Sequence, residues 1–152
     1  MLMTGSTLMD AERAFTRASR GRRRAALARR LRLPRAPADD GRLCVYGEPQ
    51  VPRATTSAAR RGIRAIPIDA ISGTLEPSRA AMFDRCFRPA ARARSRWERV
   101  WLAEQHGAVM PPISVVQVGE SYAVRDGHHR VSVAKARGAL SIDASVDAVD
   151  LP

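Results

Sequence analysis

From residue 63 onward the apolar positions fall into short, regular patterns. Ile66, Ile68 and Ile71 in IRAIPIDAI alternate with polar neighbours, which predicts a half-buried strand. Phe83 and Phe87 stand four apart in SRAAMFDRCFRP, which predicts a short helix ended by Pro89. A longer helix is expected in SRWERVWLAEQHG, where Trp97, Val100, Trp101 and Glu104 keep helical register and Gly107 follows as a C-terminal cap. Trp97 and Trp101 read as core residues, and His106 as a favourable charge at the helix end. Beyond Pro111 and Pro112, ISVVQV and YAVRD flank Gly119-Glu120-Ser121 and predict a hairpin. The second run leads through Asp126-Gly127-His128-His129-Arg130 into VSVAKARG, a short helix closed by Gly138, and SIDASV adds an edge or parallel strand.

Before this lies a different pattern. Asp10 to Leu33 predicts a helix with Asp10 as its cap, Phe15 and Ala18 on one side, and Leu27 and Leu31 on a shared face. Gly21 weakens it by about 1 kcal/mol relative to alanine, and Pro34 stops it. Residues 36–62 contain Pro37, Pro49, Pro52, Gly41 and Gly47, with one apolar stretch at Leu43–Tyr46, and read as linker. The organisation expected is a helical arm (1–35), a linker (36–62) and an α+β domain (63–152).

Charge sharpens that division. The chain carries 26 basic and 15 acidic residues, net +11, and Lys135 is its single lysine. Residues 1–64 hold 15 arginines against 5 acids, whereas residues 65–152 hold 11 basic and 10 acidic residues, so the charge belongs to the arm. Arg20, Arg22, Arg23, Arg24, Arg29 and Arg30 would cover much of its surface. Such a helix can lie along a nucleic-acid backbone and gain affinity from counterion release. It can also lie on an anionic membrane surface, though its apolar stripe is thin for that, or stay solvated without a partner. No aromatic residues interleave the arginines, so no base-stacking platform is expected.

Several classes are excluded. No apolar window approaches 18 residues, and the first residues lack a basic segment followed by an apolar one, so neither a membrane span nor a secretory signal is expected. Cys44 and Cys86 lie far apart without a CxxC, which excludes a zinc finger or disulfide framework. Both read as structural thiols in a reduced, cytoplasmic setting, nucleoid-associated if the arm binds DNA.

The most informative segment is DGHHR between a strand and a helix. The first N–H groups of a helix have no intrahelical partner and the dipole adds positive charge there, so anions bind well. Gly127 permits a sharp turn and close approach, Arg130 can grip two phosphate oxygens, and His128 and His129 add donors. Asp126 would cap the helix or hold a magnesium ion that bridges phosphates. The alternative is a plain capped helix with surface histidines. Neither a GxxxxGK[ST] nor a GxGxxG pattern is present.

The order of these segments, from IPIDAI, Arg79 and MFDR through PPISVV, YAVRDGHHR, VSVAKARG and SIDASV, resembles the ParB/sulfiredoxin domain, the N-terminal domain of chromosome-partitioning ParB proteins, over about residues 63–149. In that family the turn binds nucleotide phosphates: ParB proteins have GERR and bind CTP, sulfiredoxins have GCHR and use ATP, and related free-serine kinases share the fold. Gly127, His129 and Arg130 match the Gly-x-His-Arg pattern, and Arg79 looks like the arginine preceding the family's first helix. His128 stands where sulfiredoxin has its reactive cysteine, which rules out sulfinic acid reduction by that route.

The resemblance thus implies CTP or ATP held by Gly127, His128, His129, Arg130 and Arg79, with magnesium at Asp126. It also implies slow hydrolysis with Asp126 and His128 as catalytic candidates, a homodimer, and a link to DNA partitioning or regulation. Arg85 is a weaker phosphate candidate. A serine-type kinase would need a carboxylate base, for which Asp69, Glu76 and Asp84 are available. No ENxxR-like second nucleotide box or helix-turn-helix pattern follows the domain, so clamp loading at a specific DNA site is not expected. A nucleic-acid-associated partner module without turnover is the alternative.

Overall fold

A computed structural model describes residues 6–31, 41–46 and 61–148. Its elements are α1 (Ser6–Leu31), β1 (Cys44–Val45), β2 (Arg61–Pro67), β3 (Ile71–Thr74), α2 (Pro77–Ala80), α3 (Arg94–Gln105), β4 (Ile113–Val118), β5 (Ser121–Asp126), α4 (His128–Ala136) and β6 (Ser141–Ala148). The six strands form one mixed sheet in the order β1-β3-β5-β4-β6-β2. The class is α+β, as the sequence pattern implied.

The expected hairpin is present. β4 and β5 pair antiparallel with Val118 opposite Ser121, so Gly119 and Glu120 form a two-residue turn. α4 then returns the chain so that β6 lies parallel to β4, inside the sheet. The single strand expected over IPIDAI is instead two. β2 ends at Pro67, a 3-10 turn covers Ile68–Ala70, and β3 begins at Ile71. Proline cannot donate to a ladder, so Pro67 suits a strand end. β2 pairs with β6 at one edge while β3 pairs with β5 on the far side.

A second correction concerns Phe83 and Phe87. The helix there stops at Ala80, and the rings are brought together by a tight turn. The Asp84 Oδ1 accepts the backbone N–H groups of Cys86 and Arg88, both at 2.9 Å, the local competition by which aspartate diverts a chain from helix. Phe87 takes a left-handed φ of 58° and Phe83 bridges to Pro89. Both rings are buried, with centroids 6.2 Å apart.

The arm and linker also contribute to the core. Phe15 of α1 meets Trp97 of α3 edge-on at 5.6 Å, and both are buried. Helix α1 starts earlier than expected, so Asp10 lies within it and pairs with Arg13 at 3.7 Å instead of capping. Within residues 36–62, Leu43 is buried in the same core. Next to it β1 runs parallel to β3 with Cys44 opposite Gly73. Gly73 is required there, because a Cβ would fall 2.5 Å from the Cys44 carbonyl oxygen. Linker positions 36–40 and 47–60 lie outside the described residues. Both cysteines are free and exposed, so neither is a core thiol. Among the described residues no helix is long and apolar enough to cross a membrane.

Candidate functional site

The strand β5 ends at Asp126 and the chain turns at Gly127, whose φ of 108° favours glycine. The Gly127 carbonyl accepts the Val131 N–H at 3.0 Å and opens α4. No side chain caps this helix, so Asp126 does not fill the capping role expected of it. Its carboxylate, 75% exposed, lies 3.5 Å from Arg130 Nη2. Arg130, one turn on, is only 12% exposed at its side chain and also donates through Nη1 to the Pro111 carbonyl.

The rest of α4 is anchored. Ser132 Oγ accepts the Trp97 indole N–H at 2.8 Å and donates to the Phe87 carbonyl. Val131 and Val133 pack into the core. The head of α4 is therefore held against α3 and the Asp84 turn.

The two histidines separate. The His128 ring is buried beneath the turn, stacked near Phe83, with Nε2 2.6 Å from Thr74 Oγ1. His129 meets Phe83 edge-on at 5.2 Å, and its buried Nε2 has no hydrogen-bond partner. Burial, then the charge of Arg79, pushes His128 down to about 4. Burial, then Arg96 and Arg79, does the same for His129. Both rings are thus neutral at pH 7, and the positive charge of the site is guanidinium charge.

A stability prediction follows from those shifts. In the unfolded chain each histidine takes up its proton near pH 6.5, whereas the folded protein holds both neutral to about 4. Stability should be complete above pH 6.5 and fall as pH drops from 6.5 towards 4, by a few kcal/mol for the pair. Urea midpoints measured across that range should show the loss, and His129→Gln should make the profile shallower. A flat profile would contradict the burial of both rings.

In front of α4 lies a cleft of about 230 Å³, lined by Arg79, Arg96, Arg130, Asp126 and both histidines, with Val100 and Met110 as apolar wall. Arg79 arrives from α2, where Nη1 contacts the Met82 sulfur at 3.4 Å. Arg96 comes from the exposed face of α3. Among the described residues lining the cleft, three arginines meet one carboxylate, Asp126, at an uncapped helix head, and Glu104 of α3 adds a second negative charge within electrostatic reach of Arg130.

The expected residues Asp126, Gly127, His128, His129, Arg130 and Arg79 are brought together, and Arg96 joins them although sequence reasoning missed it. The available signal was weak: Arg96 and Val100 are four apart and share a face of α3 beside the buried Trp97. Thr74, the partner of His128, carried no signal at all. Arg85 lies outside the lining of the cleft. Among the carboxylates considered as a base, Asp84 is committed to its turn, Asp69 lines a separate groove beside α1, and Glu76 is exposed beyond β3.

Of the arm's candidate arginines, Arg20, Arg23, Arg24 and Arg30 are exposed. Arg22 turns inward with a buried Nε, and the Arg29 guanidinium lies against Gly41.

No protein-family model matches this sequence, and no curated protein matches it. Among solved structures the chain is similar to sulfiredoxin from Arabidopsis thaliana, at 19% identity and a TM-score of 0.39, covering 57% of this chain and 85% of that one. At so partial an overlap the functional reading rests on the chain's own geometry.

Proposed function

We propose that the cleft at the head of α4 binds the phosphates of a nucleotide, CTP or ATP. The observation that carries this reading is the convergence of Arg79, Arg96 and Arg130 on an uncapped helix N-terminus. Free N–H groups and the helix dipole favour an anion at that point, and arginine forks match phosphate oxygens. The neutral histidines shape the site and leave the charge to the arginines. Among the described residues no three His, Cys, Asp or Glu side chains gather as a metal cage. A magnesium ion carried in on phosphates needs only one or two protein carboxylates, and Asp126 is the one at hand. When bound, the ion would neutralise phosphate charge.

Binding is favoured over phosphoryl transfer to a small acceptor. Among the described residues the one carboxylate lining the cleft, Asp126, is paired with Arg130, and the His128 Nε2 is engaged by Thr74.

Calorimetry on the full chain with CTP, ATP, GTP and ADP in magnesium buffer tests the proposal. Arg79→Ala and Arg96→Ala should each weaken the preferred nucleotide by about 10- to 100-fold, the worth of a charge-assisted contact. They are cleaner probes than Arg130→Ala, which also removes the tie to Pro111. No binding by any of the four, or unchanged affinity in both variants, would sink the reading.

A further inference from the structure

The basic helix remains unused by that cleft, and its docking onto α3 decides which of its arginines are available. Arg13, Arg17, Arg20 and Arg24 recur at intervals of four, three and four residues and share one face of α1. All four are exposed, on the side away from Phe15 and Ala11, which are buried. Among the described residues the side chains of Arg17, Arg20 and Arg24 enter no hydrogen bond or ion pair, while Arg13 lies 3.7 Å from Asp10 in an exposed pair. Arg94 of α3 extends the patch beside this face, although it is shared with Glu98 at 2.8 Å.

We infer that this face is a binding surface for the phosphodiester backbone of a nucleic-acid duplex. The stripe spans about 16 Å of helix axis and places one guanidinium every 4.5–6 Å or so. Each strand of a duplex offers a phosphate about every 3.4 Å along its axis. Phosphates are thus spaced more densely along the duplex than guanidiniums along the stripe, so the long arginine side chains can each reach one, and a rigid docked helix loses little ordering entropy in doing so. The chemistry favours this polyanion over a lipid surface. Between Arg13 and Arg24 the outward positions carry no apolar side chain, and the exposed Met9, Leu27 and Leu31 stand beyond the two ends of the stripe, so they do not form the continuous apolar face that an interfacial helix buries. With no aromatic residue on the stripe, contacts go to phosphate and carry no base sequence information.

The test is anisotropy of a labelled 30-base-pair duplex titrated with the full 152-residue chain at several salt concentrations. Four neutralised phosphates give a log–log salt slope of about −3.6. The variant Arg17→Gln/Arg20→Gln/Arg24→Gln should flatten that slope by roughly 2.7 and weaken binding at low salt by at least about ten-fold. Glutamine keeps helix propensity, and an unchanged thermal melt establishes the fold. Arg23→Gln/Arg30→Gln, two exposed charges on another face, should change the slope by less than one unit. An unchanged slope in the triple variant overturns the inference. So does an equal loss per charge in the control, which means diffuse attraction, or binding to phosphatidylserine vesicles without binding to duplex. Nucleotide affinity of the triple variant should stay at the wild-type level, so this surface and the cleft stand or fall separately.

Discussion

Trp97→Ala is expected to destabilise the protein by about 4 kcal/mol, within the range for removing a buried tryptophan. The side chain is completely buried and holds together three parts distant in sequence. Its ring takes the edge of Phe15 from α1, and its N–H reaches Ser132 of α4. Truncation leaves a cavity in α3 and removes the surface on which α1 docks. For a chain of this length the melting temperature should fall by roughly 10 °C. Phe15→Ala should cost about 3–4 kcal/mol alone, and the double variant less than the sum, since both changes remove one contact. Denaturant unfolding of the four proteins measures this. A loss under about 1.5 kcal/mol for Trp97→Ala, or strict additivity, would mean that α1 does not pack on α3 as described.

Gly127→Ala should be the most damaging single change at the site. At φ 108° an L side chain is strained, by about 1–3 kcal/mol. Space is lacking as well: a Cβ would fall 2.5 Å from Ile113 Cγ2 and 2.8 Å from Ile113 Cβ. Ile113 is buried in β4, so it cannot swing clear, and the turn itself must move. Overpacking of this kind adds about 1–3 kcal/mol. The displaced turn carries the first N–H groups of α4 and the root of Arg130. Nucleotide affinity should therefore fall by at least about 100-fold, beyond the effect of either arginine variant. A Gly127→Ala protein with wild-type stability and affinity would contradict both the turn geometry and the assignment of the cleft.

The DGHHR turn was legible because its signals are local. A strand pattern, a glycine and a helix pattern in succession specify a turn with free N–H groups, whatever surrounds it. The roles of its two histidines were not legible. Adjacent residues on a helix point about 100° apart. Thr74 and Phe83, which receive the His128 ring, come from segments 54 and 45 positions away. Burial by such distant partners also makes the histidines neutral. The sequence alone suggested them as hydrogen-bond donors to phosphate. Arg96 was missed for the same kind of reason, because it reaches the cleft only through the packing of α3 on α4.

The arm shows the same division. Composition established that the positive charge sits in the first 64 residues, and periodicity that they include a helix. Which arginines face outward depends on the side taken by Trp97, and that follows from the docked position of Phe15. Arg22 and Arg29, equal to their neighbours in sequence, turn inward as a result.

By itself, then, the sequence determined the α+β class, the β4–β5 hairpin, the glycine turn into α4, and the location of the charge. These depend on residues within a few positions of each other, where hydrophobic period and backbone preference act directly. Only the tertiary structure decided that IPIDAI divides between two distant places in the sheet and that Leu43 belongs to the core. It also decided that Arg79, Arg96 and Arg130 meet. Each depends on burying apolar surface contributed by remote segments, and local pattern does not encode which partner a segment will find.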